Sequence, residues 1–340
     1  MKTKTILKKV REAYSNGRRL VAPLMGFPGL QMIDSNIKVA QQNYGIHFNA
    51  IKALVKEFEP DVAFPLMDLS VEVNALGRYT VFPKEDTPTV PKDTFGFEEL
   101  EKLKNIGITY DTRLLGYVET VKLMHISLKE ETVIGAYVAG PYSMAGLIMG
   151  ADNASLATIL EPDKLDELCK FTTERILEYI RLLTSAGAQA ICILEPSSVM
   201  LGPDEFERFS ARYVKDICNN YKYSDISIIY HVCGNTMHLT EMMVDSGVDA
   251  LSLDSPSAGI DLPAAAKRIK NETILIGNID PTGTILTGTP EQLEEEVIQL
   301  LKSMDFFENF VLSTGCDLPQ KVPLENITAF MKAGKNYRVK

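Results

Sequence analysis

Long apolar runs are missing from this sequence: no stretch approaches the roughly 20 apolar residues that a membrane-spanning helix needs, which argues against a helical membrane protein. An excess of basic charge is missing as well. The chain carries 35 Lys and Arg against 45 Asp and Glu, a formal net charge of -10, with the acids spread along its length. That balance argues against nucleic acid or an anionic membrane as the main partner and leaves a small molecule or another protein. The five cysteines, Cys169, Cys192, Cys218, Cys233 and Cys316, are too sparse and odd in number for a disulfide framework. Each is therefore core or chemistry. Met1 is followed by Lys2, Lys4, Lys8, Lys9 and Arg11 without the apolar segment of a secretory signal, so the expected location is the cytoplasm. There is no internal repeat, low-complexity tract or linker, and a single domain over residues 1–340 is expected.

What is present is an alternation of short apolar runs with longer segments of helical periodicity, the pattern of parallel strands joined by helices. The runs are residues 20–25, 62–65, 133–139, 190–194, 227–233, 250–254, 274–279 and 310–314. Eight strands in a chain of this length predict a closed (β/α)8 TIM barrel in preference to an open doubly wound sheet. Helical segments lie between them. Thr289, Pro290 and Gln292 form a capping signature ahead of an apolar face made by Leu293, Val297, Leu300 and Leu301. Residues 204–221 and 164–183 read as helices, with Gly187 as the stop after the second. Residues 66–132 exceed a minimal unit and read as an insertion after strand two. The Gly- and Met-rich segment 141–152 reads as a mobile flap.

Polar residues at the C-terminal ends of barrel strands sit on the face that carries active sites in this architecture. Asp68 follows strand two, Tyr142 strand three and Glu195 strand four; His231 and Cys233 end strand five, Asp254 strand six, and Asn278 and Asp280 strand seven, while Cys316 follows strand eight. His231 and Cys233, two apart on a strand, point to the same side. Barrel closure lets Cys316 join them. Two thiolates and an imidazole are a donor set suited to zinc, and three donors leave a coordination position open; core packing is the rival reading of these residues alone. Glu195 and Asp254 are candidates for a fourth ligand, a partner of His231, or helix caps. Cys169, Cys192 and Cys218 read as core, and His47, His125 and His238 as surface or boundary residues in helices.

The chain resembles the uroporphyrinogen decarboxylase superfamily, and within it the zinc-dependent methylcobamide:coenzyme M methyltransferases. The resemblance rests on Tyr230-His231-Val232-Cys233-Gly234, on Asp249-Ala250-Leu251-Ser252-Leu253-Asp254, on Ile276-Gly277-Asn278-Ile279-Asp280-Pro281, and on Leu312-Ser313-Thr314-Gly315-Cys316-Asp317-Leu318-Pro319 followed by Pro323-Leu324-Glu325-Asn326. It implies zinc on His231, Cys233 and Cys316, and a methyl group arriving on a corrinoid that a separate corrinoid protein presents at the rim. The acceptor would be a thiol such as coenzyme M. Glu195 or Asp254 would accept the thiol proton, and Asp68, Tyr142 and Asn278 would contact substrate, Asp68 matching the decarboxylase's pyrrole-binding aspartate. Assembly as a homodimer is a further expectation. Three alternatives stand beside this reading: methyl loading onto a corrinoid protein, tetrapyrrole decarboxylation, and a non-catalytic corrinoid-docking or zinc-holding role. The decarboxylase branch needs arginines in an early motif, where this chain reads Pro23-Leu24-Met25-Gly26-Phe27-Pro28-Gly29.

Overall fold

The computed structural model describes residues 4–92, 95–269 and 271–339. Its strands are β1 (Leu20–Val21), β2 (Val62–Ala63), β3 (Val133–Ala139), β4 (Ala190–Leu194), β5 (Ser227–Val232), β6 (Ala250–Leu253), β7 (Ile274–Ile279) and β8 (Phe310–Thr314). They form one eight-stranded sheet in the order β1-β8-β7-β6-β5-β4-β3-β2, with parallel pairing. This is the predicted α/β barrel, nearly closed. At the β1/β2 seam Asp61 takes over from the ladder: its N–H donates to Val21 O at 3.0 Å, and its Oδ2 accepts from the Val21 N–H at 2.7 Å. Arg18 holds the other carboxylate oxygen at 2.7 Å.

Proline accounts for the two strands that end well before their apolar runs do. Pro23 and Pro65 have no N–H to give to a ladder, so β1 ends at Val21 and β2 at Ala63. Leu24 N–H turns instead to Thr314 Oγ1 at 3.1 Å. Along β4 the alternation is clear: Ala190, Cys192 and Leu194 pack in the lumen with Leu20, Val62, Tyr137, Ile229, Ala250, Ile274 and Val311, while Ile191 and Ile193 face the helices. The helix Thr5–Ser15 sets Ile6, Val10 and Ala13 against the lumen cluster from below. The lower barrel is thus filled by side chains, leaving a cavity of about 30 Å³. Chemistry is left to the C-terminal rim.

The capping signature at Thr289 is realised: Gln292 N–H donates to Thr289 Oγ1 at 3.4 Å and Thr289 N–H to Gln292 Oε1 at 2.9 Å. Leu293, Val297 and Leu301 are the buried face of the helix Pro290–Ser303. Segment 141–152 is corrected. It holds the helix Pro141–Met149, buried along nearly its whole length, because an apolar segment with proline at its first helical position packs under the rim. The helix Pro162–Ser185 seals it there, Thr172 Oγ1 donating to Pro141 O at 2.9 Å. His47 is also corrected: it is 1% exposed, its Nε2 accepts from Leu66 N–H at 2.8 Å, and burial, helped by Arg113, holds its pKa down to about 3. It is a neutral core acceptor that fixes the chain after β2. His125 is exposed on the helix Thr112–Ser127, and His238 lies in the turn before the helix Thr240–Asp245.

Candidate metal centre

His231 ends β5 on the lumen side, with Ser252 beside it in the β5–β6 register. Cys233 follows at the turn, where Gly234 adopts φ +88°, a conformation open to glycine, and gives its N–H to Asp254 Oδ2 at 2.7 Å. Cys316 lies just past β8, and the residue before it makes its approach possible. A Cβ on Gly315 would lie 2.5 Å from Ser255 N and 2.9 Å from Asp254 C, so this glycine lets the β8 exit close against the β6 exit.

The three donor atoms form a compact triangle. His231 Nε2 lies 3.2 Å from Cys233 Sγ and 3.7 Å from Cys316 Sγ, and the two sulfurs are 3.8 Å apart. A tetrahedral zinc with bonds of about 2.3 Å to sulfur and about 2.0 Å to nitrogen separates its donors by about 3.8 Å and about 3.5 Å respectively. The residues fit the ion. Among the described residues His231, Cys233 and Cys316 are the group of His, Cys, Asp and Glu side chains close enough to hold a metal. Hydrogen bonding with Cys233 and burial push the Cys316 thiol above its ordinary range, so its proton must be displaced when a cation binds.

Neither candidate acid joins the triangle. Glu195 is fully buried; its carboxylate accepts from Tyr142 N–H at 2.8 Å, Ser143 N–H at 2.9 Å and Ser210 Oγ at 2.9 Å. It therefore caps the helix Pro141–Met149, where the exposed amides and the dipole favour a carboxylate, while burial pushes its pKa up to about 7. Ser210 reaches it from a π-helical turn, Glu207–Ala211. Asp254 stands closer to the centre and braces it: Oδ2 holds the Gly234 amide and Oδ1 accepts from Ser255 N–H at 2.6 Å.

The other rim residues have partners too. Asp68 accepts from Ser70 N–H and Oγ at 2.8 and 2.7 Å, from Tyr117 OH at 2.8 Å, and from the Arg113 guanidinium. Asn278 Nδ2 donates to Asp254 O at 2.9 Å. Tyr142 is buried, and burial pushes its phenol up. Two nearby groups were not singled out by sequence reasoning. Tyr137 stacks on Phe64 at 4.7 Å, and its pKa is raised chiefly by burial and then by Asp317, Cys192 and Cys316. Asp317 has both carboxyl oxygens buried without a regular hydrogen bond, near the amides of Gly26, Leu318 and Met67. Its position directly after Cys316 was the available signal.

The parallel barrel carries at its C-terminal rim a His/Cys/Cys cluster close enough to hold a metal. The chain belongs to the uroporphyrinogen decarboxylase (URO-D) family, whose model matches residues 35–337. It is 28% identical over 260 residues to methylcobamide:CoM methyltransferase MtbA of Methanosarcina mazei, covering 75% of this chain and 73% of that protein. A uroporphyrinogen decarboxylase of Prochlorococcus marinus is 24% identical over 289 residues, covering 83% of this chain and 80% of that protein. The solved structure of a methyltransferase from Methanosarcina mazei superposes with a TM-score of 0.85 at 20% identity, covering 98% of both chains; that likeness speaks to the fold.

Proposed function

We propose that this chain is a zinc-dependent methyltransferase that moves a methyl group from a methylated corrinoid, presented by a separate corrinoid protein, to a thiol such as coenzyme M. The observation that carries the proposal is the donor triangle, whose distances suit tetrahedral zinc and whose three donors are the number found in catalytic sites. The similarity to a methylcobamide:CoM methyltransferase supports the choice of reaction. The absence of arginine from residues 23–29 weighs against a substrate with many carboxylates.

Zinc held here would act as a Lewis acid that lowers the pKa of an incoming thiol, whose unperturbed value is about 8.5. Cys233 and Cys316, as thiolates, offset the dication's charge, and a neutral His231 adds none, so the substrate sulfur keeps its nucleophilicity. The methyl carbon would bond to that sulfur as its bond to the donor's cobalt breaks, the electron pair staying with the departing corrinoid. Asp254 holds the Cys233–Gly234 turn in place. Glu195 fixes the helix that carries Tyr142, and Asp68 and Asn278 fix rim loops along the approach. Among the described residues no helix is long and apolar enough to cross a membrane; a cytoplasmic setting is part of the proposal.

Metal analysis and a methylcobalamin assay test this reading. The expected result is a single zinc per chain and loss of the methyl–cobalt absorbance with coenzyme M or another thiol. Zinc retained at full stoichiometry in Cys316→Ala would sink the three-donor set; no turnover with any thiol would sink the reaction.

A further inference from the structure

We infer that Ser252 is the positioning residue that selects the metal-binding tautomer of His231. Its register partner across the β5–β6 ladder is His231 itself, which puts the two side chains on the same side of adjacent strands. Ser252 Oγ lies 3.0 Å from His231 Nδ1, and both residues are 1% exposed. A neutral imidazole has one N–H and one lone pair. With the proton on Nδ1 and donated to Ser252, the lone pair sits on Nε2, the nitrogen that faces Cys233 and Cys316. The other tautomer points an N–H into the space the metal needs.

The surroundings make Ser252 hard to replace. On its far side it lines the cavity of about 30 Å³ in the lower barrel, whose walls are almost wholly apolar: Leu20, Val62, Phe64, Ile229, Ile274 and Val311 among them. Asp254, the nearest acid on the same strand exit, has its carboxylate oxygens on the Gly234 and Ser255 amides. No carboxylate among the described residues is therefore hydrogen-bonded to Nδ1. A hydroxyl differs from a carboxylate in one useful respect, since it can accept from Nδ1–H or donate to a bare Nδ1. It orients the ring without adding a negative charge beneath a centre that already has two thiolates.

This inference rests on the reading that the triangle holds a metal, and the test separates the two. Zinc affinity is measured by chelator competition, and Co²⁺-loaded protein by its visible ligand-field bands, for wild type, Ser252→Ala and Ser252→Thr. Ser252→Ala should bind zinc about 10- to 100-fold more weakly, the usual loss when a ligand's orienting partner goes, with shifted cobalt bands in a protein that stays folded. Ser252→Thr, which keeps the oxygen, should restore both affinity and spectrum. Equal zinc affinity in Ser252→Ala and wild type overturns the inference while leaving the metal centre standing, as does a failure of threonine to rescue in a folded variant. A wild-type protein that binds neither ion overturns both.

Discussion

Gly315→Ala offers a sharp test of how the centre is assembled, because it touches none of the donors. The added methyl would meet Ser255 N at 2.5 Å, Asp254 C at 2.9 Å and Ser255 Cα at 3.0 Å, whereas ordinary contact begins at 3.4 Å. All three neighbours are backbone, so no rotamer change relieves the overlap. Restoring contact at the nearest atom requires a displacement of 3.4 − 2.5 = 0.9 Å. That movement separates the β8 exit from the β6 exit and carries Cys316 with it. Functional geometry is generally held to within about 0.5 Å, so the triangle opens beyond what a tetrahedral ion tolerates. Overpacking costs about 1–3 kcal/mol of stability, enough to lower the melting temperature by several degrees without abolishing folding. The assay pairs thermal unfolding with zinc affinity by chelator competition. The expected outcome is a folded protein that binds zinc at least tenfold more weakly. Gly116→Ala, on the helix Thr112–Ser127, is the control: its nearest neighbour, Tyr44 Cβ, lies 4.0 Å away, and it should leave affinity unchanged while gaining a little helix stability. Wild-type zinc affinity in Gly315→Ala would refute the argument.

Two further predictions concern titration and reactivity. Glu195 has its pKa raised by burial from 4.5 to about 7, so it binds its proton more tightly in the folded state; its contribution is fully present below about pH 4.5 and is lost as the pH rises toward 7, a change of about 3 kcal/mol. Glu72 is pushed to about 7 by burial as well. Glu195→Gln should therefore reduce, without abolishing, the fall in urea-unfolding free energy between about pH 5 and about pH 7, and an unchanged slope would contradict the burial argument. Iodoacetamide should label native, metal-stripped protein at the half-buried Cys233 ahead of the buried Cys169, Cys192 and Cys218. Zinc should suppress the Cys233 adduct; labelling that ignores zinc, read by peptide mass analysis, would mean that thiol is not its ligand.

Much of the barrel was legible because buried parallel strands appear as apolar runs of the right length. β3, β4, β7 and β8 have the bounds of their runs, while β5 and β6 end one residue early at the turns that bear Cys233 and Asp254. Periodicity does not register a missing N–H, so the run of β1 continues past Pro23 and that of β2 takes in Pro65. The segment 141–152 misled for a related reason. Glycine and methionine content reads as mobility, whereas the decisive feature is a carboxylate 46 residues after Met149, Glu195, capping the helix from another strand. The same long-range logic hid Ser252, whose meaning depends on its register against His231, and Gly315, whose meaning depends on a backbone passing within contact distance.

The rim acids carry the argument for a metal-activated thiol one step further. Asp68 is engaged by Ser70, Tyr117 and Arg113, Glu195 by two amides and a serine, and Asp254 by two amides. Asp317 is pushed above the ordinary carboxyl range by burial and by the neighbouring Cys316. At pH 7 a free thiol with a pKa of about 8.5 is only about 3% ionised, and the carboxylate oxygens of Asp68, Glu195 and Asp254 already accept from other groups. In the proposed reaction, ionisation of the substrate thus falls to the cation that His231, Cys233 and Cys316 would hold, while Asp254 braces the turn that bears Cys233.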